Sequence, residues 1–153
     1  MNENKKEIKQ FSIIKKLKNI ECPKFAWILM IGLGFYDLIR GFMHTFLNEF
    51  AAINIFGIDL SGGVENQMFL LGIFGITNYI TGIMLILIGI SARHLVPIIL
   101  PILPVAYFGG SLLIPNPTGG TAGAPGMLIY FILCITAFLV ILAIKIKKKI
   151  ESK

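Results

Sequence analysis

An all-α bundle of four transmembrane helices is predicted by three observations: a composition that is 56% hydrophobic and only 14% charged, four long apolar stretches, and basic residues gathered at the two ends. An average soluble domain is less apolar and carries about 25% charged residues. Helices follow because lipid offers the backbone no hydrogen-bond partner, and a barrel would need short alternating segments in place of unbroken apolar ones. The net charge of +6 does not point to nucleic acid, since the lysines precede the first apolar run or follow the last.

The first 24 residues carry seven lysines, with Ile8, Phe11, Ile14 and Leu17 at helical spacing among them. That pattern suits a basic amphipathic segment on an anionic membrane surface, or a solvated basic tail. It does not suit a cleaved secretory signal: the apolar run that follows is too long, contains Asp37 and Arg40, and lacks a small-x-small cleavage site.

A hydrocarbon core of about 30 Å needs roughly 20 apolar residues, and the spans are predicted at about 25–47, 67–90, 95–114 and 127–146. They form one domain, followed by a basic tail over 147–153. An even number of spans puts both termini on one side, together with the loop that carries Arg93. Thirteen of the fourteen Lys and Arg fall on that side and the fourteenth, Arg40, lies within a span. Both termini are therefore expected to be cytoplasmic in a plasma membrane.

Span one contains the most informative segment, GFYDLIRGFMHTFLNEF. Steps of three and four residues from Gly34 reach Asp37, Gly41, His44 and Asn48, one helical stripe of small and polar side chains with Arg40 beside it. Span two repeats the pattern with Gly75, Asn78, Gly82, Leu85 and Gly89. Glycines seven residues apart let two helices approach closely, because packing holds helices together in lipid. The two glycine faces are expected to meet. Asp37 and Asn78 should then lie at similar depths, about 15 and 16 Å from the outer ends of their spans.

A charge near the bilayer centre costs about 2.5–3.5 kcal/mol on insertion scales, so Asp37 and Arg40 need partners, and at i and i+3 they can pair with each other. One reading is structural: an ion pair bridged by Asn78 and capped by His44 that fixes spans one and two. The other is a polar pocket open to the outer side, in which His44 titrates and Asp37 accepts a proton or orients a headgroup. Both stand on the same four residues.

Span three carries Pro97, Pro101 and Pro104, which predict a kink or break in its cytoplasmic half. Its outer half, with Tyr107, Gly109, Gly110 and Ser111, offers another close-approach surface. Trp27 and Tyr130 read as interfacial anchors. Glu49, Asp59 and Glu65 show no cation-loop spacing and read as a solvated loop. His94 beside Arg93 reads as headgroup-facing, and it lies a membrane thickness from His44, too far to share a haem iron. Cys22 and Cys134 lie at different depths and should not pair. No catalytic motif of the hydrolase, nucleotide or thiol-redox kind is present in the sequence, and no metal site is predicted.

Four spans in about 150 residues, with an Arg-bearing first span reading DLIRGFMHTF, resemble the DoxX and DoxD-like group of small membrane proteins. The resemblance implies an accessory subunit associated with membrane redox or quinone chemistry. On that reading the chain is a non-enzymatic subunit in the lipid bilayer, with a pocket open to lipid or quinone and a membrane oxidoreductase or another copy of itself as partner. A small dimeric proton-coupled transporter using Asp37 is the alternative; Arg40, one turn away, weighs against it by favouring the charged carboxylate.

Overall fold

The computed structural model describes residues 20–55, 57, 65–113 and 124–152. The basic segment expected over 1–24 lies largely outside the described residues, as does Asp59.

Four long helices and one short one make up the described chain: α1 (Lys24–Phe46), α2 (Asn48–Asn54), α3 (Glu65–Ser91), α4 (Val96–Leu113) and α5 (Ala124–Glu151). A 3-10 turn, Arg93–Leu95, joins α3 to α4. Among the described residues there is no strand. The spans α1, α3 and α5, and the stretch Arg93–Gly110 that includes most of α4, are long and apolar enough to cross a membrane. This is the architecture of a small multi-pass membrane protein.

Local features mark the start of α1 and the entry into α2. Pro23 precedes α1 in extended conformation, so its missing N–H falls where a helix has no acceptor to use it. The chain turns at Leu47 and immediately re-enters a helix, α2, which sets the wholly buried Ala51 and Ala52 against Leu71 and Met68 of α3. The loop expected after span one is therefore helical in its first part, with Glu49 in the first turn of α2.

The expected proline break is absent. The helix α4 runs unbroken through Pro101 and Pro104, while Pro97 lies in its first turn, where a donor is unused in any helix. A helix can pass over interior prolines when the freed carbonyls find other partners. At the other end of the chain, α5 continues beyond residue 146 to Glu151, so most of the stretch expected as a tail is helix. Its 28 residues span about 42 Å, more than a bilayer core, which carries the lysine run clear of the hydrocarbon.

The other three spans all pack on α1. One side of α1 meets α3 in an antiparallel pair. The other side offers Ala26, Met30 and Leu33 to Val96 and Leu100 of α4 and to Tyr130, Phe131, Cys134, Ala137 and Ile141 of α5. Outward faces remain apolar: Phe69, Phe74, Ile80 and Ile83 on α3 are all more than half exposed. A water-soluble monomer does not present apolar surface on this scale, whereas acyl chains cover it without penalty.

Candidate polar site between α1, α3 and α5

The glycine stripe sets the geometry of the site. A β-carbon added at Gly34 would lie 2.7 Å from the carbonyl oxygen of Gly82, and one at Gly41 would lie 3.0 Å from that of Gly75. Gly89 is equally enclosed, its added β-carbon 2.6 Å from Ile31 and 3.1 Å from the Trp27 carbonyl. Seven residues forward on α1 thus match seven residues back on α3, which sets Asp37 level with Tyr79 and Leu38 level with Asn78. Close backbone contact of this kind maximises dispersion along the pair.

Asp37 stands where the glycine face of α1 meets its core face, and it is 5% exposed. The guanidinium of Arg40 donates to Asp37 Oδ1 at 3.3 Å. From the third helix, the Tyr130 hydroxyl donates to Asp37 Oδ2 at 3.4 Å. Donors on α1 and α5 thus converge on a single acid, while the Thr81 hydroxyl of α3 donates to the Thr77 and Asn78 carbonyls of its own helix at 3.1 Å. Arg40 retains some exposure and lies 5.9 Å from the centre of the Tyr36 ring, a cation–π arrangement.

A second polar pair lies one turn and more toward the far end of α1. His44, 4% exposed, has its Nδ1 3.3 Å from Asn78 Nδ2. Further along, Thr45 donates to the Gly41 carbonyl at 2.9 Å and shares a 3.0 Å hydrogen bond with the Tyr79 hydroxyl. Asn48 donates to the Met68 carbonyl at 2.8 Å. These contacts form a polar seam along the α1–α3 interface, from Asp37 to the end of the helix.

Of the four residues expected to cluster, Asp37 with Arg40 and His44 with Asn78 are brought together as two pairs. Asn78 lies at nearly the depth of Asp37, as the glycine register requires, and its side chain pairs with His44. The second donor to Asp37 is Tyr130, which was expected as an interfacial anchor and is instead buried, 4% exposed. Its proximity to Tyr36, ring centres 6.0 Å apart, completes an aromatic wall beside the ion pair. The sequence contains one hint of this role: a lone hydroxyl-bearing aromatic one turn into an otherwise apolar span.

Other expectations resolve differently. Gly109 and Gly110 have open space around them, so the outer half of α4 makes no close approach there. Trp27 stacks under Arg93, whose guanidinium carbon is 4.1 Å from the ring centre, so it ties the α3–α4 turn to α1. His94 is half-buried in that same turn. Both cysteines are free thiols. Among the described residues, no group of three or more His, Cys, Asp or Glu side chains is arranged to hold a metal.

No family model, curated protein or solved structure matches the chain.

Proposed function

We propose that the chain is a non-enzymatic subunit of a cell membrane assembly, with both termini cytoplasmic, in which the Asp37 cluster locks α1, α3 and α5 together. One observation carries this reading: a carboxylate deep in the span is 5% exposed and already has donors from its own helix and from α5. A group so fully engaged is a fastener. A proton-exchanging carboxylate needs a free lone pair and an open path to water, and Arg40 competes for that lone pair.

The accessory role is the one that a DoxX or DoxD-like likeness implies, with quinone or lipid as the small molecule and a membrane oxidoreductase or a second copy as partner. Support for a partner comes from the apolar faces of α3 and α5, which are broad enough to take another helix as readily as lipid. The orientation rests on the placement of Lys and Arg.

Asp37→Asn separates this reading from the transporter. A fastener predicts that the variant is destabilised or degraded in the membrane. A transporter predicts a folded variant that has lost proton-coupled flux in liposomes, and that outcome would replace the present reading. Native mass spectrometry of the detergent-extracted protein tests the partner: a bound oxidoreductase, quinone or second copy is expected, and a bare, colourless monomer would count against an accessory role.

A further inference from the structure

The opposite end of α1 carries a second polar feature, which the Asp37 cluster does not use. Where α1 begins and α5 ends, the two helices part to leave a cleft of about 430 Å³. Its walls are of two kinds. Ile141, 1% exposed, and Ile144 supply apolar surface, while Lys24, Lys145 and Lys148 are the basic residues of the lining and Glu21 its one acid.

Glu21 and Lys148 form a short ion pair across the cleft, tying the segment before α1 to the last turns of α5. No carboxylate among the described residues lies within ion-pair distance of Lys24 or Lys145. Subtracting one acid from three bases leaves a net charge of +2 facing the cleft. Its volume falls within the usual range of small-molecule sites, about 300–1,000 Å³. The cleft lies where the apolar stretch of α5 gives way to its lysines, beside the first residue of α1.

We propose that this cleft binds the phosphodiester headgroup of an anionic phospholipid, with Lys24 and Lys145 on the phosphate and Ile141 and Ile144 against the start of an acyl chain. Basic pockets between spans are suited to such headgroups because the ammonium groups meet the phosphate where water is already thin. An apolar wall distinguishes this ligand from a free phosphate ion, which has nothing to place there. Glu21 positions Lys148 across the cleft and keeps the site from binding two phosphates at once. The inference requires only that the ends of α1 and α5 lie at a membrane surface, so it holds for either orientation and does not depend on the role of Asp37.

The full chain in nanodiscs of phosphatidylcholine, with and without about one-third phosphatidylglycerol, is the test material, and native mass spectrometry reads which lipid survives release. The wild type should retain one phosphatidylglycerol in preference to phosphatidylcholine. Lys24→Gln with Lys145→Gln should lower that retention about thirtyfold, given the usual contribution of each lysine near anionic lipid. Lys147→Gln with Lys149→Gln, which removes the same charge from outside the cleft, should leave it unchanged. Equal losses in both double variants would reduce the effect to general surface charge and overturn the proposal. So would thermal stabilisation by inorganic phosphate alone that is abolished by Lys24→Gln and Lys145→Gln, since the site would then belong to a free anion.

Discussion

Gly34 and Gly82 face each other across the α1–α3 interface so closely that a β-carbon on either would lie 2.7 Å from the other's carbonyl oxygen. The side chains of Ile86 and Leu38 also stand there, 2.7 and 3.0 Å from the added β-carbons, and can turn aside, but the carbonyls are backbone and move only if the helices separate. The polar seam depends on this distance, because side chains as short as Thr45 and Asn78 bridge the helices only where the backbones nearly touch.

Alanine at Gly34 or Gly82 should therefore lower stability by about 1–3 kcal/mol, the usual cost of overpacking a closed site. Gly32 is the internal control, with nothing within 4 Å of an added β-carbon. Since glycine is a poor helix former, Gly32→Ala should be neutral or slightly stabilising. Thermal unfolding of the three variants in detergent checks the order; equal melting temperatures for Gly34→Ala and Gly32→Ala would remove the close contact from the argument.

The register yields an independent prediction. Seven residues along α1 match seven back along α3, so engineered thiols at Leu38 and Asn78 should cross-link readily, while Ile39 and Ile80, both at least 60% exposed, should not. Gel mobility under oxidising and reducing conditions reads the outcome. A cross-link between positions 39 and 80 in place of 38 and 78 would mean that the helices meet through other faces.

Much of this arrangement is legible in the sequence, and the part that is not has a clear physical reason. Glycine spacing on two sequential, antiparallel spans identifies the α1–α3 interface, since each stripe permits close approach only on its own face and the two faces can meet. Asp37 and Arg40 are found by their mismatch with lipid. Tyr130 is not, because a phenol can stand at the membrane surface or donate to a buried acid, and only the packing of α5 on α1 decides between these. Pro101 and Pro104 leave the continuity of α4 undecided for a related reason. Their effect depends on whether the carbonyls they free find other partners, which is a property of the neighbours and not of α4. The amphipathic contact of α2 with α3 is equally hidden, being seven residues long and made by two alanines.

Removing donors from Asp37 one at a time should separate their contributions. Tyr130→Phe deletes one hydroxyl without disturbing shape and should destabilise by about 1.5–3 kcal/mol, as expected for a bond to a charged group. Arg40→Gln removes the counter-charge and should cost more, because a buried carboxylate without a cation is strongly disfavoured. Pairing Asp37→Asn with Arg40→Gln should recover part of the loss. Unfolding free energies for the single and double variants form the cycle; strict additivity would show that the acid and the base act independently.

The two thiols offer the last prediction, which depends on burial and pH together. Cys134 is wholly buried in the core among Tyr130, Phe131 and Ala137. Cys22 lies just before α1 and is only partly covered. Burial pushes the Cys22 thiol above its ordinary value, and Arg93 and Lys145 oppose that shift without cancelling it. Because the thiolate is the reactive form, a neutral maleimide should modify Cys22 slowly near neutral pH, and the rate should rise as the solution is brought up to and past pH 9. The direction follows from the raised value: at any pH below it, fewer thiolates are present than on an ordinary cysteine. Intact mass should therefore show one adduct per folded chain, reached faster at high pH, and two only after denaturation. Two adducts on the native protein at the same rate would mean that α5 does not seal the core around Cys134, and would remove the contact through which Tyr130 reaches Asp37.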